Sequence, residues 1–293
     1  MSIDVSPLAR ALEATPTPNL LVVTGAGISL ASGIPTFRGP DPGAVWSESV
    51  MTLGTRAFFE RDPVESWRWY TSRFGKLHDK LPNPGHRALV ELEGWYRERG
   101  GPFLLVTQNI DGLHRRAGSQ ELVEVHGTAD RVRCAREGCS FGAPDGSLPR
   151  EAVDFASFVA DPSPDTLPTC PGCGDLVRAH VLWFDETYDG HRDFGYDRVM
   201  EAAESFDLIL FVGTSFSVGV TELLLHQALL RECPMFVIDP GEGPDLSRYT
   251  HYRSWPNVHE VKRFPPPRLT HLPAASEVVL PELCRALGVP ARA

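Results

Sequence analysis

Two cysteine pairs carry the most specific chemistry in the chain. Cys134 and Cys139 enclose four residues, Cys170 and Cys173 enclose two, and Gly138, Gly172 and Gly174 beside them permit knuckle turns. Four thiolates so spaced close a tetrahedral Zn2+ site of the structural kind, with no position open for water. Buried free thiols are the competing reading, and the one that suits Cys233 and Cys284 on their apolar segments. His126, in Glu124-Val125-His126-Gly127, is a candidate general base, since an imidazole ordinarily titrates at about pH 6.5. A histidine before a glycine at a strand end is also a common structural feature. Gln108, Asn109 and Asp111 follow the apolar run Phe103–Thr107. An amide and a carboxylate together can hold a carboxamide through its donor and acceptor atoms. Asn109 and Asp111 can equally start the helix through His114, and capping and ligand contact can coexist.

A glycine turn adds an anion site. Thr24-Gly25-Ala26-Gly27-Ile28-Ser29 follows the apolar run Leu20–Val23, and a strand running through glycines into a helix start can cradle a phosphate. Leu30 stands where the dinucleotide fingerprint has its third glycine, so the turn alone is a weak signal. Gly213-Thr214-Ser215 follows a second apolar run, Leu208–Val212, and offers further backbone N–H groups. Asp239, closing Met235–Ile238, places a carboxylate where ribose hydroxyls could be bound.

The elements that must position these groups read as alternating α/β. Strands are expected at Leu20–Thr24, Phe103–Thr107, Leu122–Val125, Leu208–Val212, Met235–Ile238 and Val258–Val261. Several are continuous apolar runs, the pattern of strands covered on both faces. Helical patterns lie between them at His86–Arg99, Arg198–Glu204, Val220–Arg231 and Ala275–Leu287. This predicts a Rossmann-like, doubly wound parallel sheet built from residues 1–39, 86–127 and 181–293. A helical insertion at 40–85 and a cysteine-bearing module at 128–180 are expected to form a smaller zinc-binding second domain. The Pro-rich segment Phe264–Pro273 is read as a surface connection.

Composition narrows the partners. The 293 residues carry 28 Lys plus Arg against 38 Asp plus Glu, a formal charge of −10, without a basic cluster that could follow a nucleic-acid backbone. Direct nucleic-acid binding is therefore not expected. No apolar run reaches the roughly 18 residues of a membrane span. The first residues lack the pattern of a leader, so a cytoplasmic location is expected, and with it metal or buried thiols rather than disulfides.

The glycine turn continues as Ser32-Gly33-Ile34-Pro35-Thr36-Phe37-Arg38, and this run resembles the signature of the sirtuins, the NAD-dependent protein-lysine deacylases. Thr107-Gln108-Asn109-Ile110-Asp111-Gly112-Leu113-His114, Val125-His126-Gly127, the cysteine pairs and Gly213-Thr214-Ser215 follow in the family's order, so the resemblance spans nearly the whole chain. It implies NAD as co-substrate and acylated lysine-containing proteins as substrates, with a structural zinc on Cys134, Cys139, Cys170 and Cys173. Catalysis would fall to His126 and Asn109. Gly25, Ala26, Gly27, Thr36, Phe37, Arg38, Gln108, Asp111, Gly213, Thr214, Ser215, Asp239 and Ala275 would bind the cofactor. Arg38 suits the pyrophosphate or ribose edge, and Phe37 would cover the reacting sugar carbon. The implied products are free lysine, nicotinamide and O-acyl-ADP-ribose.

Two departures bear on the acyl group. Thr36 stands where the family usually has Asp, and Tyr70-Thr71-Ser72-Arg73 lies in the helical insertion. Both resemble the sirtuin branch that removes succinyl and malonyl groups, and residues three apart on a helix share a face, so Tyr70 and Arg73 can converge on one carboxylate; deacetylation is expected beside it, since a smaller acyl group still fits. Trp183 and Phe184 belong to the segment that lies against the acyl-lysine peptide in the family. Asp185 replaces the family's Gly there, which implies either altered peptide geometry or a preference for basic flanking residues. The alternatives to deacylation are NAD hydrolysis or mono-ADP-ribosyl transfer at the same cofactor site, and an NAD-sensing module without catalysis. The last has no use for a base at His126.

Overall fold

A computed structural model describes residues 3–36, 48–216, 218–247, 249–253 and 261–289. Its centre is β1 (Leu20–Thr24), buried along its whole length, with β2 (Phe103–Thr107) and β3 (Leu122–Glu124) beyond it on one side. The chain then leaves to make a small antiparallel sheet from β4 (Gly127–Cys134), β5 (Leu148–Pro149) and β6 (Val177–Val181). It returns as β7 (Leu208–Val212) against the other side of β1, followed by β8 (Met235–Ile238). After β9 (His251–Arg253) and β10 (Val261–Arg263), which pair with each other, β11 (Leu269–Leu272) completes the edge. The main sheet therefore has the order β11-β8-β7-β1-β2-β3, with every neighbouring pair parallel.

Strand side chains alternate between two cores, which is why these strands read as unbroken apolar runs. Leu20, Val22, Leu105, Leu210 and Ile238 face one core, against helices Ser6–Leu12, Pro84–Glu98 and Ser276–Ala286. Leu21, Val23, Val106, Phe211 and Val237 face the other, against helices Tyr196–Ser205 and Gly219–Leu230. The helix expected to start at His86 begins two residues earlier. Asn83 caps it by accepting from the Gly85 N–H, and Pro84 fills a first-turn position that needs no donor.

A third core joins the two insertions. Phe59, Trp67 and Tyr70 of helices Arg56–Arg61 and Pro63–Phe74 pack with Val132, Phe158, Val177 and Trp183. The helical insertion and the cysteine-bearing module thus stabilise one another.

Two expectations about the C-terminal third are corrected. Phe264–Pro273 is more than a surface connection, because its last residues are β11, paired with β8 at the sheet edge. Pro265, Pro266 and Pro267 precede that strand rather than interrupt it, and only Leu272 of its four residues is fully buried, so the apolar signal is faint. Of the expected strand Val258–Val261, only Val261 is described; it opens β10, which is exposed and lies outside the main sheet.

The sheet order reverses direction between β1 and β7. Open parallel α/β sheets bind ligands beyond the carboxyl ends of the strands at such a switch point.

Candidate active site

A cavity of about 1660 Å³ lies at that switch point and extends to the third core. Its volume exceeds the upper end of ordinary small-molecule pockets, roughly 1000 Å³, and leaves room for two substrates. Every described residue expected in the site lines it. Gly25, Ala26, Gly27, Thr36, Gln108, Asn109, Asp111 and His126 come from the loops after β1, β2 and β3, and Gly213, Thr214, Ser215, Asp239 and Ala275 from the opposite side. Tyr70, Arg73, Trp183 and Phe184 line the part nearest the insertions. Phe37 and Arg38 fall outside the described residues.

The glycine turn has a different local purpose from the one its pattern suggests. The Gly25 N–H donates to Val212 O (3.0 Å) and the Gly27 N–H to Gly213 O (2.9 Å), so neither is left for an anion. A Cβ at Gly27 would lie 2.6 Å from Gly213 Cα, inside any tolerable contact. These glycines let the loops after β1 and β7 touch and close the floor of the cavity. The element that follows is a 3-10 helix, Ala26–Ser32.

Asn109 and Asp111 converge on Ser29 from the loop after β2. Asn109 Nδ2 donates to Gly25 O (3.0 Å) and lies 3.2 Å from Ser29 Oγ, while Ser29 Oγ–H donates to Asp111 Oδ2 (2.7 Å). The other Asp111 oxygen accepts from the N–H of Leu113, first residue of helix Leu113–Ala117, so this carboxylate does both tasks its position allows. Burial pushes its pKa up, and the bonds from Leu113 and Ser29 oppose that. Ser29 is a site residue that the sequence left unassigned, although it sits inside the glycine motif.

His126 sits between β3 and β4, with its orientation fixed from behind. Nδ1 lies 2.9 Å from Gln108 O, so Nδ1 carries the proton and Nε2 presents its lone pair. Gln108 Nε2 in turn lies 3.3 Å from Thr214 Oγ1, tying the loops after β2 and β7. Desolvation lowers the His126 pKa to about 4, opposed by the Gln108 carbonyl, so the imidazole is neutral at pH 7. Gly127 has φ of +72°, and a Cβ there would stand 2.2 Å from His180 O, so the turn that aims His126 needs glycine. The Tyr188 hydroxyl lies 3.4 Å from His126 Nε2. No sequence motif pointed to Tyr188, which arrives from the short 3-10 turn Tyr188–Gly190.

On the other side of the cavity, Tyr70 and Arg73 share a face of helix Pro63–Phe74. Tyr70 is buried and its oxygen accepts from Trp183 Nε1–H, whereas Arg73 has no carboxylate partner among the described residues. Asp185 has partners that its position in the motif did not reveal. Its oxygens accept from the N–H groups of Arg56 (2.8 Å) and Ala57 (3.1 Å), the first two of helix Arg56–Arg61, whose N-cap is Thr55. The adjacent Phe184 N–H donates to Gly54 O (3.0 Å), so the segment after β6 is laced to the helical insertion.

The four cysteines meet away from the cavity. Cys134 and Cys173 sulfurs are 3.5 Å apart, those of Cys139 and Cys170 are 3.8 Å apart, and all four lie within 4.8 Å of one another. Those separations are too long for disulfides, and a tetrahedron with Zn–S of about 2.3 Å has sulfurs about 3.8 Å apart. The donor set fits a structural Zn2+. A second group of metal-capable side chains, His180, His191 and Asp193, is already engaged. His191 Nδ1 accepts the Asp193 N–H (3.1 Å), and Asp193 Oδ2 accepts from Ser147 (2.8 Å) and lies 3.2 Å from His180 Nε2.

A parallel sheet with a polar cleft at its switch point, and a neutral histidine aimed into it, defines an α/β protein of the dinucleotide-binding class. The Sir2 family model matches residues 25–220, and the chain belongs to that family. An NAD-dependent protein deacylase of Thermus thermophilus is 43% identical over 224 residues, covering 76% of this chain and 80% of the relative. The mitochondrial NAD-dependent protein deacylase sirtuin-5 of Danio rerio is 33% identical over 250 residues, or 81% of this chain and 79% of the relative. The crystal structure of a Sir2 homolog–NAD complex matches with a TM-score of 0.71 at 31% identity, covering 97% of this chain and 94% of that one.

Proposed function

We propose that this chain is an NAD-dependent protein-lysine deacylase with His126 as its general base, and that it favours acidic acyl groups. The observation that carries the reading is the aim of His126 Nε2 into one cavity whose two ends differ. One end has the loops after β1, β2 and β7, and the other has Tyr70 and Arg73.

NAD, when bound, supplies an activated ribose carbon from which nicotinamide leaves as the acyl oxygen attacks. Asn109 and Asp111, braced by Ser29, hold the carboxamide through its donor and acceptor atoms. Gln108, Thr214 and Ser215 line the ribose side, and Asp239 and Ala275 lie toward the adenosine half. Gly25, Ala26 and Gly27 form the floor, next to Thr36. By their motif, Phe37 is assigned to the reacting sugar and Arg38 to the pyrophosphate or ribose edge. His126, neutral at pH 7, takes a proton from a ribose hydroxyl at Nε2 while Gln108 O holds the Nδ1 proton. Trp183 and Phe184 line the acyl-lysine channel, and Tyr70 and Arg73 take the distal carboxylate of a succinyl or malonyl group. The partner is an acylated lysine in a protein, and Zn2+ on the four cysteines supports the small domain at 40–85 and 128–180. Reduced cysteines holding a metal suit a cytoplasmic location, and no described helix is long and apolar enough to cross a membrane.

The test is mass spectrometry of products after incubation with NAD and matched acetyl-, malonyl- and succinyl-lysine peptides. Faster turnover of the acidic peptides with O-acyl-ADP-ribose is the expected result. Acetyl-only turnover would remove the acidic preference. ADP-ribose without deacylation would replace the reading by NAD hydrolysis.

A further inference from the structure

We propose that Trp183 is a positioning residue that makes Tyr70 a hydrogen-bond donor to the carboxylate of an acidic acyl group, an inference that rests on the acyl preference just given.

Trp183 is held by Arg178, Glu186 and Phe59. The Arg178 guanidinium lies 3.3 Å from the centroid of the indole ring, and Glu186 Oε2 accepts both the Trp183 N–H (3.1 Å) and Arg178 Nη2 (2.8 Å). Phe59 closes another side, with ring centroids 5.4 Å apart. Trp183 is 3% exposed, so its indole cannot turn to another acceptor without repacking this core. The indole nitrogen can only donate, and here it donates to Tyr70 Oη.

That bond decides what Tyr70 can do. A phenol can donate or accept, and an acceptor role toward the channel would waste it, because a carboxylate accepts only. With an oxygen lone pair taken by Trp183 N–H, the Tyr70 proton remains available to an acceptor in the cavity that Tyr70 lines, and among the described residues no hydrogen bond takes it. Burial raises the Tyr70 pKa, so the proton stays on. The Arg178 charge over the indole face draws electron density from the ring and strengthens the N–H as a donor. Arg73, on the same helical face, provides the charge for the same carboxylate. An acetyl group has no oxygen that reaches this far along the channel, so the Trp183–Tyr70 bond should matter for acidic acyl groups in particular.

The experiment is a double-mutant cycle on the ratio of kcat/KM for succinyl-lysine to kcat/KM for acetyl-lysine. Trp183→Phe keeps an aromatic ring and removes the donor; Tyr70→Phe removes the hydroxyl. Trp183→Phe should lower the ratio about fivefold, through KM for the succinyl peptide, and should change it less than about twofold when Tyr70 is already Phe. Equal losses on both substrates, or an undiminished effect in the Tyr70→Phe background, would mean that Trp183 merely fills space, and the proposal fails. If Trp183→Phe does not fold, replacement of Trp183 by benzothienylalanine keeps the bicyclic ring and exchanges N–H for sulfur, with the same two outcomes. A wild-type enzyme without preference for succinyl-lysine overturns the acyl assignment and this inference together. A succinyl-selective enzyme without coupling overturns this inference alone.

Discussion

The Tyr188 hydroxyl stands 3.4 Å from Nε2 of His126, and the two rings stack with centroids 5.8 Å apart. The Val220 N–H donates to the same hydroxyl oxygen (3.3 Å), which leaves the Tyr188 proton free to turn toward the imidazole lone pair. A donor on Nε2 favours the neutral ring, adding to the desolvation that already lowers its pKa. Tyr188→Phe should therefore raise the His126 pKa and move the acid limb of kcat/KM to higher pH by about half a unit. The measurement is the pH profile of single-substrate kinetics with NAD saturating. An acid limb that stays in place or moves down would show that Tyr188 does not donate to the base.

Asp185 ties the peptide side of the cavity to the helical insertion, since both its oxygens accept from the first N–H groups of helix Arg56–Arg61. Asp185→Gly, the residue usual in the family, should cost about 1 kcal/mol as the Arg56 and Ala57 N–H groups lose their acceptor, with Thr55 still capping the helix. Thermal unfolding should show a fall of a few degrees, and preference for basic residues flanking the lysine should not change. A relaxed flank preference with unaltered stability would assign Asp185 to the choice of basic flanking residues instead.

The zinc assignment makes a separate demand. Metal analysis of purified protein should find one Zn2+ per chain, and stripping it should loosen the third core, since Cys134 and Cys170 pack with Phe158 and Trp67. Cys170→Ser should lose the metal and, with it, protection from proteolysis within 128–180. Metal-free protein with full protection would mean that thiol packing alone holds the module.

Legibility divides along the distance over which a residue acts. β1 and β7 were readable because both faces of each are covered, which leaves an unbroken apolar run. His126 was readable because its Val-His-Gly motif is contiguous in sequence, and Gly127 beside it is required by its own positive φ. Tyr188 and Asp185 were not, because their partners lie 62 and 129 residues away and no local pattern registers such pairings. β11 was hidden for another reason: prolines precede it and three of its four residues are half-buried, so propensity argued for a loop while pairing to β8 made a strand. Gly25 and Gly27 were recognised for their freedom, but the backbone that approaches them belongs to Gly213.

Stability should depend on pH through buried histidines. Burial lowers the pKa of His86, His126 and His180 to about 4, and that of His114 well below its ordinary value. In the unfolded chain these groups bind protons at about pH 6.5, so between pH 6.5 and 4 the unfolded state holds more protons than the folded one. Stability is complete above that window and falls as pH drops through it. Thermal unfolding should show a steady loss of Tm from pH 7 to 4.5, with proton uptake on unfolding measurable by calorimetry in buffers of different ionisation enthalpy. A Tm independent of pH over this range would mean that the histidines are hydrated.

Among the described residues, Arg73 brings a guanidinium to the cavity that no carboxylate neutralises. A charged hydrogen bond to a carboxylate is worth about 1.5–3 kcal/mol, so Arg73→Met should raise KM for succinyl-lysine at least about tenfold. Acetyl-lysine, which offers no charge to this end of the channel, should be affected far less. Lys76 and Lys80 line the same cavity and would supply a diffuse positive field without Arg73. The two sources separate by salt. Attraction by the lysines weakens as ionic strength rises, whereas a direct contact with Arg73 in a confined channel resists screening. Succinyl preference that survives Arg73→Met but disappears in 0.5 M NaCl (a screening length of about 4 Å) would transfer the acyl specificity from Arg73 to the lysines.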